Sequence, residues 1–169
     1  MTKEEMLEIY EKAACMDFVL ACGVLNGYAV AVKIKFSEMR ETLTDKAFSI
    51  QKTSSKERRA GIKKIRCELT KTRIESLAKI GKVITLCSES EFETEKAKLK
   101  TIRAGYGNGE TFEYLINKKV GKVWQKDNKR FDREPDLEYN GIKYQIKSAK
   151  FSLPNEELLQ EIAVERNLI

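Results

Sequence analysis

The sequence has no histidine among its 169 residues. Without an imidazole, the chain cannot build a Ser-His-Asp triad, a Cys-His dyad or a histidine-ligated metal site. Chemistry at neutral pH must therefore come from carboxylates, lysines, hydroxyls, thiols or a bound metal. A metal held by oxygen ligands is expected to be Mg²⁺, Mn²⁺ or Ca²⁺.

Cysteine is scarce, and its four positions, Cys15, Cys22, Cys67 and Cys87, form no CxxC pair. With no histidine to complete a ligand set, this spacing argues against a zinc site. The cysteines are expected to be buried thiols in a reducing compartment, which favours a cytoplasmic location.

Long uninterrupted apolar runs are also missing. Residues 13–34 are the most apolar stretch, but they contain Asp17, Asn26 and two glycines. A charged residue near the centre of a membrane span costs about 3 kcal/mol, so no membrane partner is expected. The first turn is acidic, which does not fit a signal peptide. With two prolines and no Pro-rich linker, the chain is expected to form one domain or one core with an elaboration.

The net charge of +6 lies mainly in two blocks. Residues 54–82 hold ten basic and three acidic residues, and residues 113–150 hold ten basic and six acidic residues. Such clustering is typical of nucleic-acid binding, although a solvated helix face gives the same pattern. The candidate nucleic-acid contacts are Arg58, Arg59, Lys63, Lys64, Lys118, Lys119, Lys129, Arg130, Ser148 and Lys150.

Apolar spacing predicts a chain that is mostly helical over its first hundred residues. Thr2 and Glu5 have the spacing of a capping box at the start of the first helix. Helices are predicted over 3–25, 37–49, 55–80, 91–103, 110–120 and from 155 onward; strands are predicted over 82–87 and 123–126, and residues 28–36 suit either. Residues 105–109 are glycine-rich and are expected to form a turn. We therefore expect an N-terminal region over 1–100, acting as scaffold, DNA clamp or dimerisation surface, and a core over 101–169.

Asn140-Gly141 is the strongest local signal in the chain, because both residues tolerate the positive φ of a type I′ hairpin turn. This turn places Asp136 opposite Gln145, with Cβ atoms roughly 5 Å apart. The apolar face of the hairpin is then Leu137, Tyr139, Ile142, Tyr144 and Ile146, and the polar face is Asp136, Glu138, Lys143, Gln145 and Lys147. Asp136 and Gln145 can thus share one ligand beside Lys147, and both tyrosines are expected in the core.

The order of these parts resembles the PD-(D/E)xK nuclease superfamily, which includes many restriction endonucleases, Holliday-junction resolvases and repair or phage nucleases. The resemblance covers about residues 105–165. It rests on Pro135-Asp136, the triplet Gln145-Ile146-Lys147, and Glu113 on the preceding helix. It implies a restriction-endonuclease-like α+β or α/β fold, with a mixed sheet flanked by helices.

The resemblance also implies a Mg²⁺- or Mn²⁺-dependent endodeoxyribonuclease. Its catalytic residues are then Asp136, Gln145, Lys147 and Glu113. The metal ligands are Asp136, Gln145, Glu113 and the main-chain carbonyl of Ile146. Gln145 departs from the family pattern, which has Asp or Glu there, so metal affinity and two-metal occupancy are in doubt. Little chain follows Lys147, so residues 83–87 are expected to complete the sheet.

Two alternatives remain open at the level of sequence. One is a weak or inactive nuclease-fold protein that binds DNA or a protein partner, in a phage or defence accessory role. The other is a helical interaction protein in which the hairpin is only structural and Glu113 is an ordinary exposed helix residue. A homodimer is compatible with each of these. Tyr106 and Trp124 are candidates for base stacking, although Trp124 is expected to pack in the core beside Val123.

Overall fold

A computed structural model describes residues 2–14, 16–42, 48–51, 64–68, 71–124, 135–147, 150–153 and 156–168. Helices and strands are interspersed along these ranges. In chain order they are α1 (Lys3–Ala13), β1 (Phe18–Leu25), β2 (Tyr28–Ile34), α2 (Phe36–Thr42), β3 (Phe48–Gln51), β4 (Lys64–Glu68), α3 (Lys71–Ile80), β5 (Lys82–Ser88), α4 (Glu89–Ile102), α5 (Asn108–Lys119), β6 (Leu137–Tyr139), β7 (Ile142–Lys147), β8 (Lys150–Leu153) and α6 (Glu156–Glu165).

The first helix is shorter than the sequence predicts. It begins as expected, with the Thr2 hydroxyl accepting a hydrogen bond from the Glu5 N–H at 3.2 Å, but it ends at Ala13. The rest of the predicted helix is the strand β1, which turns back into β2 at Asn26 and Gly27, with φ of 51° and 80°. The predicted helix over 3–25 is therefore wrong beyond Ala13, because an Asn-Gly turn closes a hairpin there.

A five-stranded mixed sheet forms the centre of the molecule, in the order β5-β2-β1-β7-β6. Strand β1 pairs antiparallel with β2 and parallel with β7, so that Val19 lies opposite Gln145. Strand β5 forms one edge by pairing with β2. The α+β class is thus confirmed, and so is the expectation that residues 83–87 join the sheet.

Both faces of this sheet are covered by helices. On one face Val19, Val32 and neighbouring residues pack against α1, α2, α3 and α6. On the other face Leu20, Cys22 and Ile146 pack against α4 and α5. Because both faces are buried, β1 reads as a continuous apolar run rather than an alternating one.

The predicted long helix over 55–80 is wrong across residues 64–68, which form β4 in a second, three-stranded sheet of order β3-β4-β8. Its last turns are confirmed as α3. The short helix predicted over 37–49 likewise ends at Thr42, and residues 48–49 belong to β3. Among the described residues before position 100, five strands are interspersed with helices, so this part of the chain is mixed rather than largely helical.

The predictions for the second half of the chain hold better. The strand over 82–87 and the helices over 91–103, 110–120 and from 155 are confirmed as β5, α4, α5 and α6. Val123 and Trp124 lie outside any strand, so that prediction is wrong there, and residues 125–126 lie outside the described ranges. Within those ranges no helix has the length and apolar character needed to cross a bilayer.

We expect Gly23→Ala to destabilise the protein by about 1–3 kcal/mol, because a larger side chain would overpack the core. A Cβ at this buried strand position would lie 2.5 Å from Ile74 Cγ1 of α3. Urea denaturation measures the effect. Gly105→Ala is the matched control, since no atom lies within 4 Å of its added Cβ. A double variant with Ile74→Ala should be less destabilised than the sum of the single variants; strict additivity would contradict this contact.

Candidate active site at the C-terminal hairpin

The C-terminal hairpin adopts the register predicted from its turn. Asn140 and Gly141 have φ of 51° and 77°, and Leu137 lies opposite Tyr144. Leu137 and Tyr144 are buried in the core shared with α5, as expected. Tyr139 is 41% exposed, so its predicted core position is wrong. Tyr139 is the last residue of a short edge strand, next to the turn, where little of the chain covers its side chain.

Asp136 lies where the β6–β7 ladder ends. Its Oδ2 accepts a hydrogen bond from the Ile146 N–H at 2.8 Å. The N–H and C=O of one strand residue point to the same edge, so the Ile146 carbonyl also faces this side. The next ladder position belongs to Pro135, which has no N–H to donate. The Asp136 carboxylate is therefore anchored at the end of the ladder, and Pro135 donates no hydrogen bond to the Ile146 carbonyl.

The other face of β7 lies against α1, which sequence reasoning did not predict. Gln145 is only 6% exposed. Lys147, two residues further on and on the same face, places its Nζ 5.5 Å from the centre of the Tyr10 ring. The end of the polar face that carries Gln145 and Lys147 thus lies against the first helix, whereas Glu138 near the turn is exposed.

Lys147 holds its proton more tightly than an ordinary lysine. Burial alone lowers the pKa of its ammonium, but Tyr10 raises it through its charge interaction and a hydrogen bond, and Asp136 and Glu113 raise it further. The net direction is upward. Lys147 is therefore a cation at neutral pH, within the electrostatic reach of two carboxylates from different elements.

Glu113 reaches the site from α5. Its Oε2 accepts a hydrogen bond from the Trp124 indole N–H at 3.2 Å, and its main-chain oxygen accepts one from the buried Asn117 side chain at 2.7 Å. Burial raises the pKa of the Cys22 thiol, and the Glu113 charge raises it further. Glu113 therefore lies near β1 as well as Lys147, and is not an ordinary solvated helix residue.

The structure brings Asp136, Glu113 and Lys147 close enough to interact, and keeps Gln145 on the same face of the same strand as Lys147. Carboxylate, amide and main-chain carbonyl oxygens are ligands that Mg²⁺ accepts. The donor set of Asp136, Glu113, Gln145 and the Ile146 carbonyl fits such an ion chemically. No group of three or more Cys, Asp or Glu residues comes together in the described part of the chain, so the amide and the carbonyl have to complete the set.

The predicted nucleic-acid contacts are only partly described. Arg58, Arg59, Lys63, Lys129, Arg130 and Ser148 lie outside the described residues. Lys64 and Lys150 belong to β4 and β8 of the second sheet. Lys118 and Lys119 are exposed in the last turn of α5.

Two residues of this region, Tyr10 and Trp124, have surroundings that the sequence did not predict. No pattern in the sequence pointed to Tyr10, because only the parallel pairing of β1 with β7 brings α1 to Lys147. Trp124 was predicted to pack in the core beside Val123, but Val123 is 86% exposed and Trp124 is only half-buried. That prediction is wrong, because the chain leaves α5 at Gly121 (φ 74°) and continues along the surface.

Comparison of the chain with known family models, with curated proteins and with solved structures finds no match. The geometry of the site therefore carries the functional argument alone.

Removing either neighbour of Lys147 should lower its pKa. Tyr10→Phe deletes the hydrogen-bonding hydroxyl and Asp136→Asn deletes a negative charge, while the opposing effect of burial stays. An NMR pH titration of ¹³Cε-labelled lysine measures the change, with Lys147→Arg to assign the signal and Glu138→Gln as control. An unchanged pKa in both variants would rule out this arrangement.

The raised pKa of Lys147 also determines whether the stability of the protein rises or falls with pH. Because the folded-state pKa is raised, the contribution of Lys147 is complete below the ordinary lysine pKa of about 10.4. It is lost as pH rises through the folded-state value.

Proposed function

We propose that this protein is a metal-dependent endodeoxyribonuclease with a restriction-endonuclease-like core, hydrolysing phosphodiester bonds with Mg²⁺ or Mn²⁺. The observations that carry the proposal are the hydrogen bond from Ile146 that anchors Asp136 at the ladder end and the electrostatic interaction of the Lys147 ammonium with Asp136 and Glu113. A hairpin that served only as structure would not need two carboxylates and a lysine brought together from separate elements.

Each residue has a role that its surroundings support. Asp136, Glu113, Gln145 and the Ile146 carbonyl would hold the divalent cation. A bound cation supplies Lewis acidity toward the phosphoryl oxygen and the attacking water. The hydrogen bond from Ile146 fixes the Asp136 carboxylate at the end of the ladder.

The raised pKa of Lys147 limits what this residue can do. A general base must be unprotonated at working pH, and the interactions of Lys147 with Tyr10, Asp136 and Glu113 raise its pKa and favour the charged form. Lys147 therefore acts by stabilising negative charge as it develops on the phosphoryl oxygens, and by orienting the attacking water. Tyr10 is a positioning residue, because it acts on the reaction only through Lys147.

Gln145 supports a second candidate, a protein of the same fold that binds DNA without cutting it. The amide offers one oxygen but no charge, so the cation is held by one carboxylate fewer than in the family pattern. Under this alternative the basic residues provide DNA affinity through the phosphates, and cleavage is absent or slow.

A cleavage assay separates the two candidates. Supercoiled, linear and branched DNA are incubated with the protein in Mg²⁺, Mn²⁺ or EDTA. Asp136→Ala and Lys147→Ala should each reduce metal-dependent cutting on the order of 100-fold or more, because each removes a ligand or a charge that the transition state needs.

The same hairpin provides matched controls. Glu138→Ala and Lys143→Ala remove a carboxylate and an ammonium from the turn end of the polar face, and both variants should cut normally. DNA binding without any cutting by the unsubstituted protein would favour the binding alternative. Cutting that survives both Asp136→Ala and Lys147→Ala would place the active site elsewhere.

Gln145→Glu should increase the thermal stabilisation that Mg²⁺ gives, since a ligand that binds only the folded state stabilises it in proportion to its affinity. Without a cation the variant should melt lower than the unsubstituted protein, because a buried carboxylate facing Asp136 is repelled. Differential scanning fluorimetry across a Mg²⁺ series measures both effects. Gln145→Met, which offers no oxygen, should show a smaller Mg²⁺ shift. Equal shifts in all three proteins would mean that position 145 does not touch the cation.

A further inference from the structure

An open groove of about 650 Å³ lies between α4, α5 and the chain that follows α5. We call it the aromatic groove, because Tyr106, Tyr114 and Trp124 line it together with Lys118 and Lys122. It does not overlap the cation ligands proposed above. Its volume is in the range of pockets that bind small ligands.

The three aromatic rings form one contiguous group. Tyr106 and Tyr114 meet Trp124 edge to face, with ring centres 5.5 Å and 6.2 Å apart and interplanar angles of 72° and 81°. All three side chains are half-buried, so part of each ring borders the groove. Aromatic rings at a groove wall are the platforms on which proteins stack unpaired bases.

The charge of the groove fits a polyanion. Lys118 and Lys122 line it, and none of the lining residues that the structure describes is acidic. The Lys118 Nζ lies 6.0 Å from the centre of the Tyr114 ring, and the Arg103 guanidinium lies 6.0 Å from that of Tyr106. Lys122 donates a hydrogen bond to the main-chain carbonyl of Glu138, which is a neutral acceptor.

The rim of the groove exposes apolar surface. Ile102 is 75% exposed and Val123 is 86% exposed. Neither side chain belongs to the two described cores. Apolar and aromatic surface next to cations suits a strand whose bases have left the double helix.

The groove is coupled to the proposed active site through one hydrogen bond. The Trp124 indole N–H donates to Glu113 Oε2 at 3.2 Å. A base stacked at Trp124 therefore lies beside a proposed cation ligand.

We infer that the aromatic groove binds unpaired bases of a DNA strand and holds the adjoining phosphate near Glu113. The inference rests on the proposed nuclease function and narrows its substrate to DNA with single-stranded character, such as a flap, a branch or a frayed end. A continuous duplex keeps its base faces stacked and offers nothing for the groove to bind.

Trp124 is the only tryptophan of the chain, so its intrinsic fluorescence reports directly on the groove. An oligothymidylate of about 12 nucleotides is titrated in EDTA, where cutting cannot occur. The single strand should quench Trp124 and bind more tightly than a duplex of the same length. Tyr106→Ala and Lys118→Gln should each weaken binding about tenfold.

Matched controls lie on surfaces away from the groove. Tyr28→Ala removes another exposed tyrosine, 51% accessible at the start of β2, and Lys79→Gln removes an exposed lysine of α3; both should bind normally. Equal affinity for single strand and duplex, or no loss in the Tyr106 and Lys118 variants, would overturn the inference. Cutting of DNA without Trp124 quenching would overturn the inference about the groove and leave the proposed nuclease activity standing. Quenching without cutting would support base binding at the groove and contradict the nuclease activity.

Discussion

The parallel pairing of β1 with β7 is the contact on which the rest of the structure depends. A two-stranded hairpin such as β6–β7 is marginally stable alone, and this pairing makes it part of a five-stranded sheet. Asp17 extends the contact: its N–H donates to the Lys143 carbonyl at 2.7 Å, and its carboxylate accepts from the Lys143 N–H at 2.9 Å. The same pairing sets α1 over the polar face of β7, and so brings Tyr10 to Lys147.

The candidate site forms where three separately positioned elements meet. The hairpin supplies Asp136 and Lys147, α5 supplies Glu113, and α1 supplies Tyr10. Each is held by its own packing: α5 through buried Phe112 and neighbours, α1 through the core on the opposite face. The Lys147 ammonium interacts electrostatically with both carboxylates, and the two hydrophobic cores hold the elements that carry these three side chains.

The sequence predicts this molecule well where structure is local and poorly where it is not. Asn140-Gly141 fixed the hairpin register because a two-residue turn determines which residues face each other. Asn26-Gly27 carries the same signal. However, the helical spacing of Met6, Ile9 and Ala13 runs on into β1, a strand that is apolar on both faces and therefore shows no alternation of apolar and polar residues. Nothing local indicates that β1 pairs with β7, and so nothing local indicates that Tyr10 lies next to Lys147.

The charges of the proposed site favour one divalent cation over two. Asp136 and Glu113 bring two negative charges and Lys147 one positive charge, so the set has a single negative charge before any ligand binds. One divalent cation turns this into a single positive charge, which the phosphodiester of a DNA strand neutralises. A second cation would face Lys147 without a further carboxylate, since Gln145 offers an oxygen but no charge. In the proposed reaction Lys147 would thus supply the positive charge that a second metal would otherwise provide.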